Sequence, residues 1–383
     1  MGRGNAFEIA VMPGDGIGTE VTEAAIAVLR AAEERFGLGF RFETVPGGAL
    51  YYRETGATLP ADGMDRARAA DAILFGAMGW PDIRLADGTE IAPQLDLRVG
   101  LDLYAGVRPI RAIPGVRPVL ADPRWAEIDL VIIRESTEGM FASRGIGIVA
   151  DDDSEARDTQ VITRRTTERL TAFSCRLARR RREERGTPGR VTLVDKANVF
   201  RSFAFMRRVF HEAAAAFPDI EAGHHYVDAM ALDLIRRPWD FDVLPTENLF
   251  GDILSDLGAG LIGGMGFAPS ADIGDEHALF QPSHGSAPDI AGQGIANPTA
   301  MILSAALMLD WLGERHGSAD ARLAASAIER SVDLAFGEKG VRSYDLGGQD
   351  GTVEIGRIVA EAVRLGEADR APPRVKAERS AHA

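Results

Sequence analysis

The sequence predicts an α/β protein of more than one domain, and three observations carry that expectation. A short apolar run, FEIAVM (Phe7 to Met12), is closed by Pro13 and Gly14 and followed from Thr19 by helical apolar spacing. A second strand-like run, AILFGA (Ala72 to Ala77), leads into a segment punctuated by Gly and Pro. The length of 383 residues with 45% hydrophobic content is enough for two or three domains of ordinary size.

Taken in order, the first unit is strand, glycine-rich turn and helix, the helix running from Thr19 through Leu29. A dinucleotide fingerprint requires glycine at position 19, so the turn GDGIG does not qualify, and Asp15 inside it would repel a phosphate. Glu43, ending FRFETV, reads as a strand end. After AILFGA comes a polar loop, PDIRLADGTEIAPQ, of a length that is often functional inside a compact domain. Arg98 and Arg108 follow, and Arg134 leaves the apolar strand Leu130 to Ile133. Three such arginines could clamp a dicarboxylate, against the plainer alternative of surface arginines in a chain with 43 basic residues.

The middle of the chain, RRTTERLTAFSCRLARRRREERG, is a basic helix ending at Gly186, whose alternating acids predict a solvated face. Cys175 within it has no disulfide partner and reads as helix packing in a reducing compartment. The strand VTLV then delivers Asp195 and Lys196 to its C-terminal edge, where burial or neighbouring cations could lower the lysine's pKa towards a general-base role. In HHYVDAM, His224 and His225 point apart on a strand, and Asp228 follows an apolar approach.

The stretch PTENLFGDILSDLGAGLIGGMG (Pro245 to Gly266) places Asn248 as a helix cap and Asp252 and Asp256 four residues apart on one helix face. Like charges at that spacing repel, so beside Ile253, Leu254 and Leu257 they suggest a hard divalent cation, Mg2+ or Mn2+, with Asp228 as a third carboxylate. The alternative is a solvated helix face. Last, His284 to Gly294 form a loop dense in Gly, Pro and small residues, followed by a long apolar helix from about Pro298. Asp289 in that loop could bind a ribose diol and would repel a 2′-phosphate, which favours NAD. The net charge of -14 argues against a general nucleic-acid binder. Without a membrane-length apolar run or a signal-peptide pattern, the expected location is the cytoplasm.

Together these residues resemble a known family. The motifs MPGDGIGTEV, LDLYAGVRP, RESTEG, DKANV, YVDAM, NLFGDILSD, HGSAPDIAGQGIANPTA and a C-terminal DLGG cover nearly the whole chain. They are similar to those of the metal-dependent beta-decarboxylating dehydrogenases, the family of isopropylmalate, isocitrate, homoisocitrate, tartrate and D-malate dehydrogenases. The resemblance implies a two-domain α/β fold with a central cleft. Residues 1–102 and 262–365 would form a large cofactor-binding domain, and residues 103–261 a smaller substrate and dimerisation domain. Residues 366–383 would be a disordered tail, and the homodimer, or a tetramer built from it, would share its active sites.

The resemblance also implies roles. Arg98, Arg108 and Arg134 would hold a malate moiety; Asp252 and Asp256, with Asp228 reaching from the partner subunit, would bind the metal. Lys196, also donated across the dimer, would take the substrate hydroxyl proton. His284, Asp289 and Asn297 would contact the adenosine side of NAD, with Gly285, Ser286, Ala287, Ile290 and Asn198 completing the cofactor contacts. Ile91, Gln94 and Leu95, with Val199 from the partner, would select the 3-substituent of the malate, and Ala92 stands where isocitrate enzymes tend to carry serine. The implied reaction is hydride transfer from C2 to NAD, metal-polarised loss of CO2 and protonation of the enolate, with a 3-isopropylmalate type of substrate ranked before tartrate or D-malate.

Two departures stand out. Phe141 replaces the family tyrosine that protonates the enolate carbon, leaving Ser143, Tyr104 or a metal-bound water as stand-ins and a weakly active or regulatory subunit as an alternative. Gln281 stands where the cofactor loop often has Glu.

Overall fold

The apolar runs singled out in the sequence become strands of one large sheet. In the computed structural model, which describes residues 5–370, the strands are β1 (Ala6–Gly14), β2 (Gly39–Thr44), β3 (Ala72–Ala77), β4 (Ala105–Arg111), β5 (Asp129–Glu135) and β6 (Ile148–Val149). They continue with β7 (Ala156–Arg157), β8 (Arg190–Asp195), β9 (Glu221–Tyr226), β10 (Val243–Thr246), β11 (Pro269–Ile273) and β12 (Ala278–Pro282). The helices are α1 (Gly18–Phe36), α2 (Ala49–Thr55), α3 (Gly63–Ala69), α4 (Pro93–Gly100), α5 (Arg164–Arg185) and α6 (Arg201–Ala214). After these come α7 (Val227–Arg236), α8 (Asn248–Leu261), α9 (Thr299–His316), α10 (Ala319–Gly337) and α11 (Thr352–Leu365).

Ten strands form one sheet in the order β2-β1-β3-β12-β11-β4-β5-β10-β8-β9, while β6 and β7 pair as a separate hairpin. Pairing is parallel except at the centre, where β12 with β11, β11 with β4 and β4 with β5 are antiparallel. Parallel strands need crossover helices, which cover both faces and bury the strands, so β3 is buried at every position. Strands from residues 6–77 and 269–282 occupy one half of the sheet and those from 105–246 the other, meeting where β11 pairs with β4. Helix α9 packs beside α1 and α10 on the first half, with twelve of its residues buried.

Several local expectations change in three dimensions. Glu247 caps α8, its carboxylate accepting from the amides of Leu249 (3.1 Å) and Phe250 (3.3 Å); Asn248 is the first helical residue and serves elsewhere. Asp15 sits in no phosphate's path. It is buried and accepts from the amides of Ala49, Leu50 and Gly79 at 2.7, 2.9 and 2.9 Å, tying three loops together. The glycine turn around it braces the His284 loop: Ile17 N donates to Ser286 O at 2.8 Å, and a Cβ on Gly16 would lie 2.0 Å from that oxygen.

Helix α5 begins at a Thr163 cap and ends at left-handed Gly186, as its sequence suggests, but its basic face is not all solvated. Arg181 is buried between Asp242 (2.8 Å) and Asp129 (3.1 Å), because this side of the helix covers β5 and β10. His224 and His225 do point apart, to His211 and to Asp233. In the segment 366–369, expected to be disordered, Ala368 is buried and Asp369 pairs with Arg35 and Arg330. The rest of the expected tail lies outside the described residues.

Candidate active site

A cleft of about 600 Å3 opens between the two halves of the sheet. Three arginines reach it from three elements: Arg98 from α4, Arg108 from β4 and Arg134 from β5, each about 5% exposed or less. Buried guanidiniums need partners, and these have them. Arg98 Nε and Arg108 Nη2 both donate to Asp272 at 3.0 Å, and Arg108 Nη1 donates to Ala271 O at 2.9 Å. Arg134 Nε donates to Asn248 Oδ1 at 2.8 Å, and its Nη1 forms an ion pair with Asp252. Burial lowers Arg134 to about 10, with Arg98 adding to the effect and Asp252 opposing it, so it stays a cation at neutral pH. Burial would push Asp272 up, yet Arg108 and then Arg98 outweigh it and hold the carboxyl at about 2.

Asp252 and Asp256 share the cleft-facing side of α8, one turn apart. Burial, and then the charge of Asp252, raises Asp256 against the opposing pull of Arg134 and Arg108, and the two carboxylates stand as neighbouring like charges. These are hard oxygen donors of the kind a divalent cation prefers, but among the described residues no group of three metal-ligating side chains gathers. Lys196 and Asp228 form their own ion pair at the ends of β8 and β9 and do not line the cleft. The set drawn from the sequence therefore splits in two within a single chain.

The loop after β12 closes another side. A carbonyl only accepts, so the 2.9 Å contact between His284 Nδ1 and Gly285 O puts the ring proton on Nδ1. The other ring nitrogen, Nε2, is buried without a partner, and burial lowers the pKa of the imidazole, leaving a bare acceptor beside the cleft. That is a fit for a ligand with hydrogen-bond donors. Ser286 donates to Gly79 O, Ala287 has a left-handed φ of 37°, Ile290 is half-buried and Asp289 is exposed. Asn297 is buried and occupied: its amide donates to Asp345 (3.1 Å) and its oxygen accepts from Thr299 N (3.1 Å), joining the DLGG turn to α9. Asn198 and Val199 are exposed beside Lys196, away from the cleft.

Of the specificity candidates, Gln94 and Leu95 line the cleft with Ala92, and Ile91 is buried behind them. Gln94 Oε1 has no partner. The Phe141 ring lines the cleft with the Arg134 guanidinium 5.0 Å from its centroid. Two stand-ins weighed for its missing hydroxyl are spent elsewhere. Ser143 Oγ donates to Thr159 O at 2.9 Å, and Tyr104 is buried away from the cleft on Asp275 (3.2 Å), with its hydroxyl pushed up to about 12 by burial and then the Asp275 charge. Gln281 lies on β12 rather than in the loop, donating to Asp272 at 3.0 Å.

The isocitrate/isopropylmalate dehydrogenase family model matches residues 8–359, most of the chain. The chain belongs to that family. A 3-isopropylmalate/3-methylmalate dehydrogenase of Methanocaldococcus jannaschii is 44% identical over 359 residues, covering 93% of this chain and 99% of that protein. A probable tartrate dehydrogenase/decarboxylase of Bacillus subtilis is 38% identical over 363 residues, covering 94% and 98%. Among solved structures, isocitrate dehydrogenase from Methylococcus capsulatus superposes with a TM-score of 0.81 at 37% identity, covering 93% of this chain and 99% of that one. The protein is thus a decarboxylating hydroxy-acid dehydrogenase of the isocitrate/isopropylmalate family, with that family's mixed α/β fold.

Two residues that brace the arginines of this chain were not legible as such. Asp272, which holds two of the arginines, sits in the unremarkable strand PSADI; the signal was an acid between Ala271 and Ile273 in an apolar run. Asn248 braces Arg134 on one side and donates to Glu138 O on the other, at 3.0 Å.

Proposed function

We propose that the protein catalyses the NAD- and divalent-metal-dependent oxidative decarboxylation of a 3-substituted (R)-malate, with the 3-isopropylmalate type favoured. The observation that carries this reading is the cluster of three buried arginines opening on one cleft with the paired carboxylates of α8. Guanidiniums fixed in this way bind carboxylates with little loss of side-chain entropy. Leu95, Ala92 and Phe141 offer apolar surface to an alkyl substituent, and the relative named for 3-isopropylmalate and 3-methylmalate supports that preference.

In this reading Arg98, Arg108 and Arg134 hold the substrate carboxylates, and Lys196 of the partner subunit takes the C2 hydroxyl proton. A divalent ion held by Asp252, Asp256 and Asp228 of the partner subunit would supply Lewis-acid polarisation, and NAD along the His284 loop would accept the hydride. Phe141 closes one side of the cleft but gives no proton, and with Ser143 and Tyr104 turned away, water is the remaining donor to C3. Asp289, exposed and acidic, suits a ribose diol and favours NAD. The retained arginines, lysine and carboxylates weigh against a purely regulatory subunit.

The same reading takes residues 1–102 and 262–365 as the cofactor domain and 103–261 as the substrate and dimerisation domain, in keeping with the split of the sheet. A homodimer is supported by exposed apolar side chains around the Lys196 and α8 surface, Val199, Phe200, Leu232, Ile235 and Ile253, and by the exposed apolar hairpin residues Ile148 and Val149. Among the described residues no helix is long and apolar enough to cross a membrane, and Cys175 is free and buried; we place the enzyme in the cytoplasm. NADH formation should appear with Mn2+ or Mg2+ and 3-isopropylmalate, exceed that with D-malate, tartrate or isocitrate, and vanish with EDTA. Silence on all four substrates would overturn the reading.

A further inference from the structure

Three guanidiniums open on one cleft with the two carboxylates of α8, one of which pairs with Arg134, and a further unit of their positive charge is cancelled from underneath. Asp272 is completely buried and does not line the cleft, whereas Arg98, Arg108 and Gln281 do. Its two oxygens accept from Arg98 Nε and Arg108 Nη2 at 3.0 Å each, from Gln281 Nε2 at 3.0 Å and from Ser136 Oγ at 3.3 Å. Gly106 faces it on β4, and a Cβ there would lie 3.0 Å from Asp272 Oδ1 and 2.6 Å from Ser136 Oγ. The glycine leaves the space that this carboxylate and its hydroxyl donor fill. Gln281 holds the carboxylate with a neutral donor, so the charge beneath the arginines is one unit and no more.

A charge enclosed in protein is screened far less than one in water, so this anion is felt by whatever the arginines hold. We propose that Asp272 is the charge-setting residue of the cleft, lowering the excess of the three arginines by one unit so that the site prefers a dicarboxylate over a tricarboxylate. The selection works by withholding attraction for a third carboxylate rather than by a clash. The same two contacts also aim Arg98 and Arg108, which makes Asp272 a positioning residue that never meets the substrate. The inference rests on the reading of the cleft as a carboxylate site.

Succinate and tricarballylate, which have no hydroxyl to oxidise, test it by binding alone. The full chain in Mg2+ buffer is titrated with each by calorimetry as wild type, D272N and D272N/Q281E. In D272N the ratio of the two dissociation constants should move about tenfold or more towards tricarballylate. The double variant carries the acid across the same contact and should return the ratio to within about threefold of wild type. A loss of fold or packing would weaken both ligands and leave the ratio alone. If D272N does not fold, the double variant decides: a folded D272N/Q281E with the ratio displaced about tenfold overturns the inference. A wild type that binds succinate, with D272N unchanged in ratio, overturns this inference only; a wild type that binds neither overturns the carboxylate reading and this inference with it.

Discussion

The arginine clamp and the Lys196–Asp228 pair are both ion-pair systems, and they are built in opposite ways. In the clamp, Arg98 and Arg108 are about 5% exposed, Asp272 is fully enclosed, and four donors converge on one carboxylate. Lys196 and Asp228 make a single contact at the edge of the sheet, with the Asp228 side chain 67% exposed. The first is finished by folding one chain and is rigid before any ligand arrives. The second is held by a single exposed contact, as suits groups that, in the proposed reading, leave one another to complete a site on a second copy. On that reading binding geometry is settled within the chain and the proton-transfer end by assembly.

Removing the lysine separates the two most sharply. Lys196→Ala should lower kcat about 100-fold to 10,000-fold, the usual loss for a positioned base, measured as NADH formation at saturating substrate. The melting temperature should barely move, because exposed pairs contribute about 0–1 kcal/mol. Mixing Lys196→Ala with Asp252→Asn chains after reversible dissociation should restore about a quarter of wild-type activity, since half the dimers are mixed and each has one intact site. No recovery in demonstrably mixed dimers would show that each chain uses its own lysine.

Breaking the clamp has the converse signature. Arg108→Ala leaves Asp272 enclosed with one arginine fewer, and losing one partner of a buried pair costs about 3–5 kcal/mol of stability. Chemical denaturation at neutral pH should show it as a lower midpoint at an unchanged slope. A loss under about 1 kcal/mol would mean that water enters beneath the arginines and that the clamp is not preorganised.

Acid tests the same contrast without a mutation. The folded carboxyl of Asp272 lies at about 2, below its ordinary value of 3.8, so folding favours the ionised form. Its contribution is complete above about pH 4 and is lost as pH falls through about 2, amounting to about 2 kcal/mol. Asp228 is also lowered, mainly by its hydrogen bond to Lys196, but is largely exposed and should add little. Stability against pH should therefore fall less steeply in D272N than in wild type over that interval, while Asp228→Asn should trace the wild-type slope.

The same division explains what could be seen in the sequence. Strands such as AILFGA and helices such as α5 and α9 are local patterns, and the ends of the first two and the start of α9 were legible to within a residue or two. The arginines and the α8 carboxylates were legible through motifs, which preserve spacing. Asp272 was not, because its partners lie 174 and 164 positions away and nothing local distinguishes its strand. Glu247 rather than Asn248 caps α8 for a related reason: both types can cap, and the choice was made by Arg134, which arrives from β5 and takes the asparagine. Ser143 and Tyr104 looked like spare hydroxyls until the fold gave each a partner.

Phe141 joins the two systems, since its ring lies on the clamp while the position bears on proton transfer. Phe141→Tyr keeps the ring on Arg134 and adds a hydroxyl, and the cation 5.0 Å from the ring centroid would favour the ionised phenolate and so strengthen the phenol as an acid. A general acid is worth about 100-fold to 10,000-fold over none, but with water as the proposed donor in the wild type the gain in kcat should be nearer tenfold. The gain should come with unchanged KM, because the hydroxyl touches nothing in the ground state, and with a smaller solvent deuterium isotope effect, because protonation ceases to limit. A rise in KM at constant kcat would instead mean that Phe141 shapes the pocket for the 3-substituent. In that case the ring belongs to the clamp's side of the comparison, and protonation is left to water.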